Sequence, residues 1–170
     1  MVDGMELPWI VGLFSGGIYP CKKSPADAET RKSWMYETIL VPIEMGQIDR
    51  AGAMLSAARY LLTTAGRITC LTVLPEIPGY VAADLPRNLD ENLVEEANAA
   101  LSKIINATGV VAAIDIQIGH AAQTILAVAE QTGAELIIIG SHRPGLEDYL
   151  LGSTAGRVVR HAACHVLVQR

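Results

Sequence analysis

The residues of this 170-residue chain best suited to chemistry lie in one run: Gly140-Ser141-His142-Arg143-Pro144-Gly145-Leu146-Glu147-Asp148-Tyr149-Leu150-Leu151-Gly152-Ser153-Thr154-Ala155. An apolar stretch of strand type precedes it and a helical stretch follows. Gly152 has no Cβ, so the backbone there can come close to a ligand. Ser153 and Thr154 add two hydroxyl donors. The amides of a helix's first turn have no partner within the helix and lie at the positive end of its dipole. Together these groups make an anion site suited to phosphate. Gly140 ends the strand and lets the chain turn beneath that anion. The competing reading of Gly152-Ser153 is a helix cap and nothing more, because serine is a favoured cap.

Other reactive side chains are less well placed. His120 and His142 have no carboxylate at helical spacing, so they read as bystanders to catalysis. His161 and His165 lie near the end of the last helix, where histidine is favoured electrostatically. Glu147-Asp148 reads as solvated surface, and beside a phosphate it would repel. The three cysteines, Cys21, Cys70 and Cys164, are odd in number and show no C-x-x-C spacing, which argues against a disulfide framework or a zinc site. Cys70 and Cys164 stand in apolar surroundings and read as small hydrophobes. No nucleophile–base–orienter set is visible, so no catalytic residue and no metal site is assigned.

The elements that must position the run alternate between strands and helices. Thr38 to Ile43 is a short apolar stretch of the buried-strand type. Ala51, Met54, Leu55, Ala58, Leu61 and Leu62 then repeat on one helical face, with Gly66 expected to supply a left-handed cap. Ile68 to Leu74 forms the second strand. Asp90 can cap the next helix, whose inner face is Leu93, Val94, Ala97, Ala100, Leu101, Ile104 and Ile105 and which stops at Gly109. Ala112 to Ile118 alternates apolar and polar residues, as on a half-covered strand. A helix over 122–132 stops at Gly133, and Leu136 to Ile139 is apolar without interruption, as in a central parallel strand. Ser153 or Thr154 caps the last helix, with Ala155, Val158, Val159 and Ala162 facing inward. Val166 to Val168 closes the chain as a strand.

This order predicts an α/β fold: a five-stranded parallel sheet with helices on both faces, Rossmann-like in its layering. In such sheets ligands bind beyond the carboxyl ends of the strands, where strand order reverses. The positions that follow from that rule are Pro42 to Gly46, Val73 to Pro75, Gly119-His120 and Gly140 onward.

The run from Gly140 to Thr154 resembles the phosphate loop of the universal stress protein family, G-x2-G-x9-G-[ST]. Gly140, Gly152 and Ser153 match it. The tail from Leu150 to Val168 and the opening Ile39-Leu40-Val41-Pro42 are similar to that family's ends, so the resemblance covers residues 35–170. Only 11 residues separate Gly140 from Gly152 here, one fewer than the pattern has. The motif's second glycine has no counterpart, as in the subgroup with a Gly-Ser-x-Arg-Pro loop. The resemblance implies the adenine nucleotide alpha hydrolase-like fold and ATP as ligand, with Mg²⁺ as an ion it can bring. It implies phosphate contacts from Gly140, Ser141, His142, Arg143, Gly145, Gly152, Ser153 and Thr154. Arg143 is expected to offer its guanidinium in place of the missing glycine; loss of binding is the rival outcome. Adenosine contacts are implied for Pro42, Ile43, Glu44 and Val73, and a ribose or phosphate contact for Gly119. Glu44 stands where the family commonly has Asp, and its carboxylate can accept a ribose hydroxyl or hold Mg²⁺ through water. Homodimerisation through the last strand is implied as well, with slow ATP hydrolysis or autophosphorylation as the most catalysis expected. The alternative is a nucleotide-free dimeric interaction module. A nucleotidyl-transfer enzyme ranks below both, because Glu44-Met45-Gly46-Gln47-Ile48-Asp49 holds no His-x-x-His.

Bulk properties leave room for a local phosphate site. The chain is 51% hydrophobic and 18% charged, enough to bury a core. Its net charge of −5 argues against a broad footprint for nucleic acid or an anionic membrane. The apolar stretch from Leu7 to Tyr19 is broken by Pro8 and glycines, too short to span a bilayer, and follows Asp3 and Glu6 instead of basic residues. The expected location is therefore the cytoplasm. Residues 1–34 show no helical or strand period and read as an N-terminal appendage or an over-called start, with the nucleotide-binding domain over 35–170.

Overall fold

The computed structural model describes residues 35–76, 89–140 and 151–169. Five strands, β1 (Tyr36–Pro42), β2 (Leu62–Leu74), β3 (Ala113–Ile118), β4 (Leu136–Gly140) and β5 (His165–Gln169), form one parallel sheet in the order β3-β2-β1-β4-β5. The helices are α1 (Ala51–Leu61), α2 (Leu89–Thr108), α3 (Ala121–Thr132) and α4 (Ser153–His161), and a short 3-10 stretch, Met45–Arg50, leads into α1.

The uninterrupted apolar runs become the centre of the sheet because both of their faces are covered. On one face Ile39, Val41, Leu136 and Ile138 pack with Met54, Leu55 and Ala58 of α1 and Leu101 and Ile105 of α2. On the other, Leu40, Leu71, Ile137 and Ile139 pack with Ile125 and Val128 of α3 and Ala155 and Val158 of α4. Truncating one such residue, Ile138 for example, would cost about 2–5 kcal/mol, a large share of a typical domain's stability.

The chain winds β1-α1-β2-α2-β3 along one face, then returns past β1 to wind α3-β4-α4-β5 along the other. Strand order therefore reverses between β1 and β4. Their ladder holds two residue pairs, Ile39↔Leu136 and Leu40↔Ile137, whereas the β1–β2 ladder reaches Pro42 and the β4–β5 ladder reaches Gly140. The carboxyl ends of β1 and β4 thus frame a crevice.

Several local expectations are corrected. Helix α1 ends at Leu61, and Leu62 is already extended (φ −82°, ψ 138°). Thr63 and Thr64 are β-branched and favour the strand, so β2 begins six residues before Ile68. Gly66 lies within β2 and is no left-handed cap; a Cβ there would come within 2.7 Å of Leu62 Cδ1. The excess length is absorbed where pairing passes from Tyr36↔Leu62 to Thr38↔Arg67, a bulge. Helix α2 already begins at Leu89, ahead of Asp90. Gly109 and Gly133, both at φ 63°, end α2 and α3 as expected. On α4, Val159 is 44% exposed, and the inner face is narrower than its sequence pattern.

Candidate functional site

The end of β1 is held to β2 beyond the regular strand. The Ile43 amide donates to the Leu71 carbonyl at 2.8 Å, and the Thr72 hydroxyl donates to the Ile43 carbonyl at 3.0 Å. The chain then turns: Glu44 is extended, and its carbonyl accepts the Gln47 amide at 2.9 Å. The exposed Glu44 carboxylate accepts from Gln47 Nε2 at 2.8 Å. Pro42 and Ile43 are buried, so the polar group the end of β1 presents is Glu44.

Across the crevice, Gly140 ends β4; a Cβ on it would lie 3.6 Å from Met54 Sδ, ordinary contact. Gly152, and not Ser153 or Thr154, occupies the cap position of α4, with φ −54° and ψ 154°. Its carbonyl accepts the first bond of the helix, from the Gly156 amide at 2.7 Å. The amides of Ser153, Thr154 and Ala155 precede that bond and sit at the positive end of the helix dipole. Ser153 is exposed and Thr154 partly so. Among the described residues, leaving aside Gly152 and its two chain neighbours, no heavy atom lies within 4 Å of where a Cβ on Gly152 would project. Any residue could adopt this backbone conformation, so the described fold does not itself require a glycine there.

Gly119 differs. It follows β3 at φ 151°, and a Cβ there would meet Thr124 Oγ1 at 3.2 Å. Its conformation favours glycine at that position, and a Cβ would also press on the Thr124 hydroxyl. Val73 lies in β2 opposite Gln117, its side chain partly buried against the α3–α4 core. Ser141, His142, Arg143 and Gly145 lie outside the described residues.

The remaining chemistry is quiet. Burial pushes the Cys70 thiol up to about 12, so it stays protonated and unreactive near neutrality. His120 is exposed at the start of α3, and the His165 ring stands edge-on to Tyr36 at 5.6 Å. Among the described residues no three His, Cys, Asp or Glu side chains converge as a metal site, and no helix is long and apolar enough to cross a membrane. A hollow of about 640 Å³ lies between α2 and β3, with Ile114, Ile116 and Ile118 on its floor. It is two strands from the crevice, and Glu91 and Glu95 on its rim would repel phosphate.

Thr72 and Gln47 shape this site and were not singled out in the sequence. Thr72 reads as an ordinary β-branched strand residue. The available signal was a hydroxyl inside the otherwise apolar stretch Cys70 to Leu74.

A doubly wound parallel sheet with its crevice between β1 and β4 is of the adenine nucleotide alpha hydrolase-like type. The family model of the universal stress protein family matches residues 35–170, and the chain belongs to that family. It is 31% identical over 147 residues to universal stress protein G of Escherichia coli O157:H7, covering 80% of this chain and all of that protein. Among solved structures, hypothetical protein MJ0577 superposes with a TM-score of 0.65 at 28% identity, over 79% of this chain and 95% of that one. The universal stress protein of Archaeoglobus fulgidus in complex with dAMP shares the fold, with a TM-score of 0.56 at 22% identity over 80% of this chain and 99% of that one.

Proposed function

We propose that this protein binds ATP in the β1–β4 crevice and works as a nucleotide-dependent signalling component of a stress response, not as an efficient catalyst. The observation that carries the reading is the glycine cap of α4. Gly152 sits at the N-terminus of the helix that follows β4, where Ser, Thr, Asp or Asn would cap as well or better, and neither its backbone angles nor its described surroundings give a reason for it to be glycine. Close approach of a phosphate would give one. In this reading the triphosphate lies over Gly140, Gly152, Ser153 and Thr154. Arg143 clamps it, with Ser141, His142 and Gly145 completing the loop. Adenosine lies against Pro42, Ile43 and Val73, Glu44 takes a ribose hydroxyl or a water on Mg²⁺, and Gly119 lines the ribose–phosphate side. The relative solved with dAMP supports an adenine nucleotide as the ligand class. The protein acts as a homodimer in the cytoplasm, and any turnover of ATP is slow.

Calorimetric titration with ATP and with adenosine, Mg²⁺ present, tests the reading. Binding of both, with ATP the tighter, is expected. If neither binds at millimolar concentration, the reading fails and a nucleotide-free dimeric interaction module replaces it.

A further inference from the structure

We propose that Thr72 is a positioning residue for the adenosine end of the site; the proposal rests on the nucleotide reading above. Thr72 is one of two buried polar residues among the described ones, with 1% of its surface exposed. A hydroxyl buried this completely is costly unless it is bonded. Its bond runs to the Ile43 carbonyl at 3.0 Å, and the same oxygen lies 3.9 Å from Met45 Sδ. Thr72 therefore touches both chain neighbours of Glu44.

The bracket sits where the strand can no longer hold the chain. Pro42 has no amide hydrogen, and β1 ends with it. One further ladder bond, from the Ile43 amide to the Leu71 carbonyl, fixes one side of Ile43. On the other side, the carbonyl that leads into Glu44 takes, among the described residues, the Thr72 hydroxyl and no backbone amide. On the far side, the Glu44 carbonyl is taken by the Gln47 amide. Glu44 is thus suspended between two occupied carbonyls. Valine has nearly the same shape and suits a buried strand better, but it would leave the Ile43 carbonyl without this partner and the Glu44 peptide free to rotate. The carboxylate and the backbone that meet adenosine would then be displaced, while the α4 side of the crevice would be untouched.

The test compares wild type, T72V, T72S and T72A by calorimetry well below their melting temperatures. The ligands are ATP, adenosine and inorganic tripolyphosphate. The proposal requires T72V to weaken ATP and adenosine alike by about tenfold, which corresponds to about 1.4 kcal/mol, and to leave tripolyphosphate within twofold. T72S keeps the hydroxyl and should restore both affinities. T72A also lacks the hydroxyl and gives the same reading if T72V does not fold. A purely structural role would lower the melting temperature and leave the affinities of the folded protein unchanged; that result overturns the proposal. Equal loss of tripolyphosphate overturns it too. Wild type binding none of the ligands overturns the nucleotide reading and this proposal with it, whereas wild-type binding with an unaltered T72V overturns this proposal alone.

Discussion

The amide of Gly119 donates to the carbonyl of Leu74 at 2.9 Å and carries the β2–β3 ladder one residue past Ile118. Holding that bond while the chain turns into α3 needs φ 151°, which side-chain-bearing residues rarely adopt. Gly140 and Gly152 meet no such demand from the described fold. The three glycines should therefore separate under substitution. Gly119→Ala should destabilise by about 1–3 kcal/mol, lowering the melting temperature by about 2–12 °C. Gly140→Ala and Gly152→Ala should stay within about 1 kcal/mol of wild type. Gly152→Val should keep its fold by circular dichroism and lose ATP. If Gly152→Val binds ATP as wild type does, the phosphate does not lie there.

The two sides of the proposed phosphate cradle should differ in strength. Arg143→Ala removes a charged donor and should weaken ATP more than adenosine by about 1.5–3 kcal/mol. Ser153→Ala should cost ATP less, about 0.5–1.5 kcal/mol, because the amides at the start of α4 remain. Titration of both variants with both ligands measures the order. A larger loss from Ser153→Ala, or equal losses for ATP and adenosine in Arg143→Ala, would contradict the clamp.

The strands were legible in the sequence wherever both faces were buried. Leu136 to Ile139 is apolar at every position, and so is β4. The helix stops at Gly109 and Gly133 were legible because glycine there answers a local need, a left-handed residue. The α1–β2 junction was misread, because the apolar period of α1 runs on through Leu62 while β-branching at Thr63 and Thr64 favours extension. The phosphate loop could be proposed from sequence because its signals, Gly140 to Thr154, are contiguous. The bracket around Glu44 could not be. It joins Thr72 to Ile43 across 29 positions, and a threonine inside a strand carries no mark of where its hydroxyl points.

Cys70 gives the protein an alkaline weakness. Its thiol is raised from 9.0 to about 12 by burial. Below pH 9 the thiol is protonated in both folded and unfolded chains and makes no difference. Between pH 9 and 12 the unfolded chain loses the proton and the folded one keeps it, so stability falls by about 1.4 kcal/mol per pH unit. Tyr36 is raised in the same direction, first by burial and then by Glu135 and Cys164, and keeps its share in a Cys70→Ala chain. Melting curves at pH 8 and 10.5 should show a drop that is smaller in Cys70→Ala by about 4–8 °C. Equal drops would mean that Cys70 ionises without opening the core.

The last strand should be the dimer contact. β5 ends the strand order, and no described strand pairs with its outer side. Val166, Leu167 and Val168 are each only partly buried, and such an edge invites pairing with a second chain. Lysine on an edge strand opposes that pairing, because the partner strand would desolvate its charge or meet an identical one. Sedimentation velocity at micromolar concentration should show a dimer for wild type. Leu167→Lys should shift it to monomer with its far-ultraviolet circular dichroism unchanged. ATP titration of that variant then separates the two roles of the chain. The crevice lies between β1 and β4, two strands of one protomer, so the monomer should bind ATP within about threefold of wild type. Monomeric wild type would remove the edge from the assembly. A monomeric variant that no longer binds would mean that the partner chain completes the site.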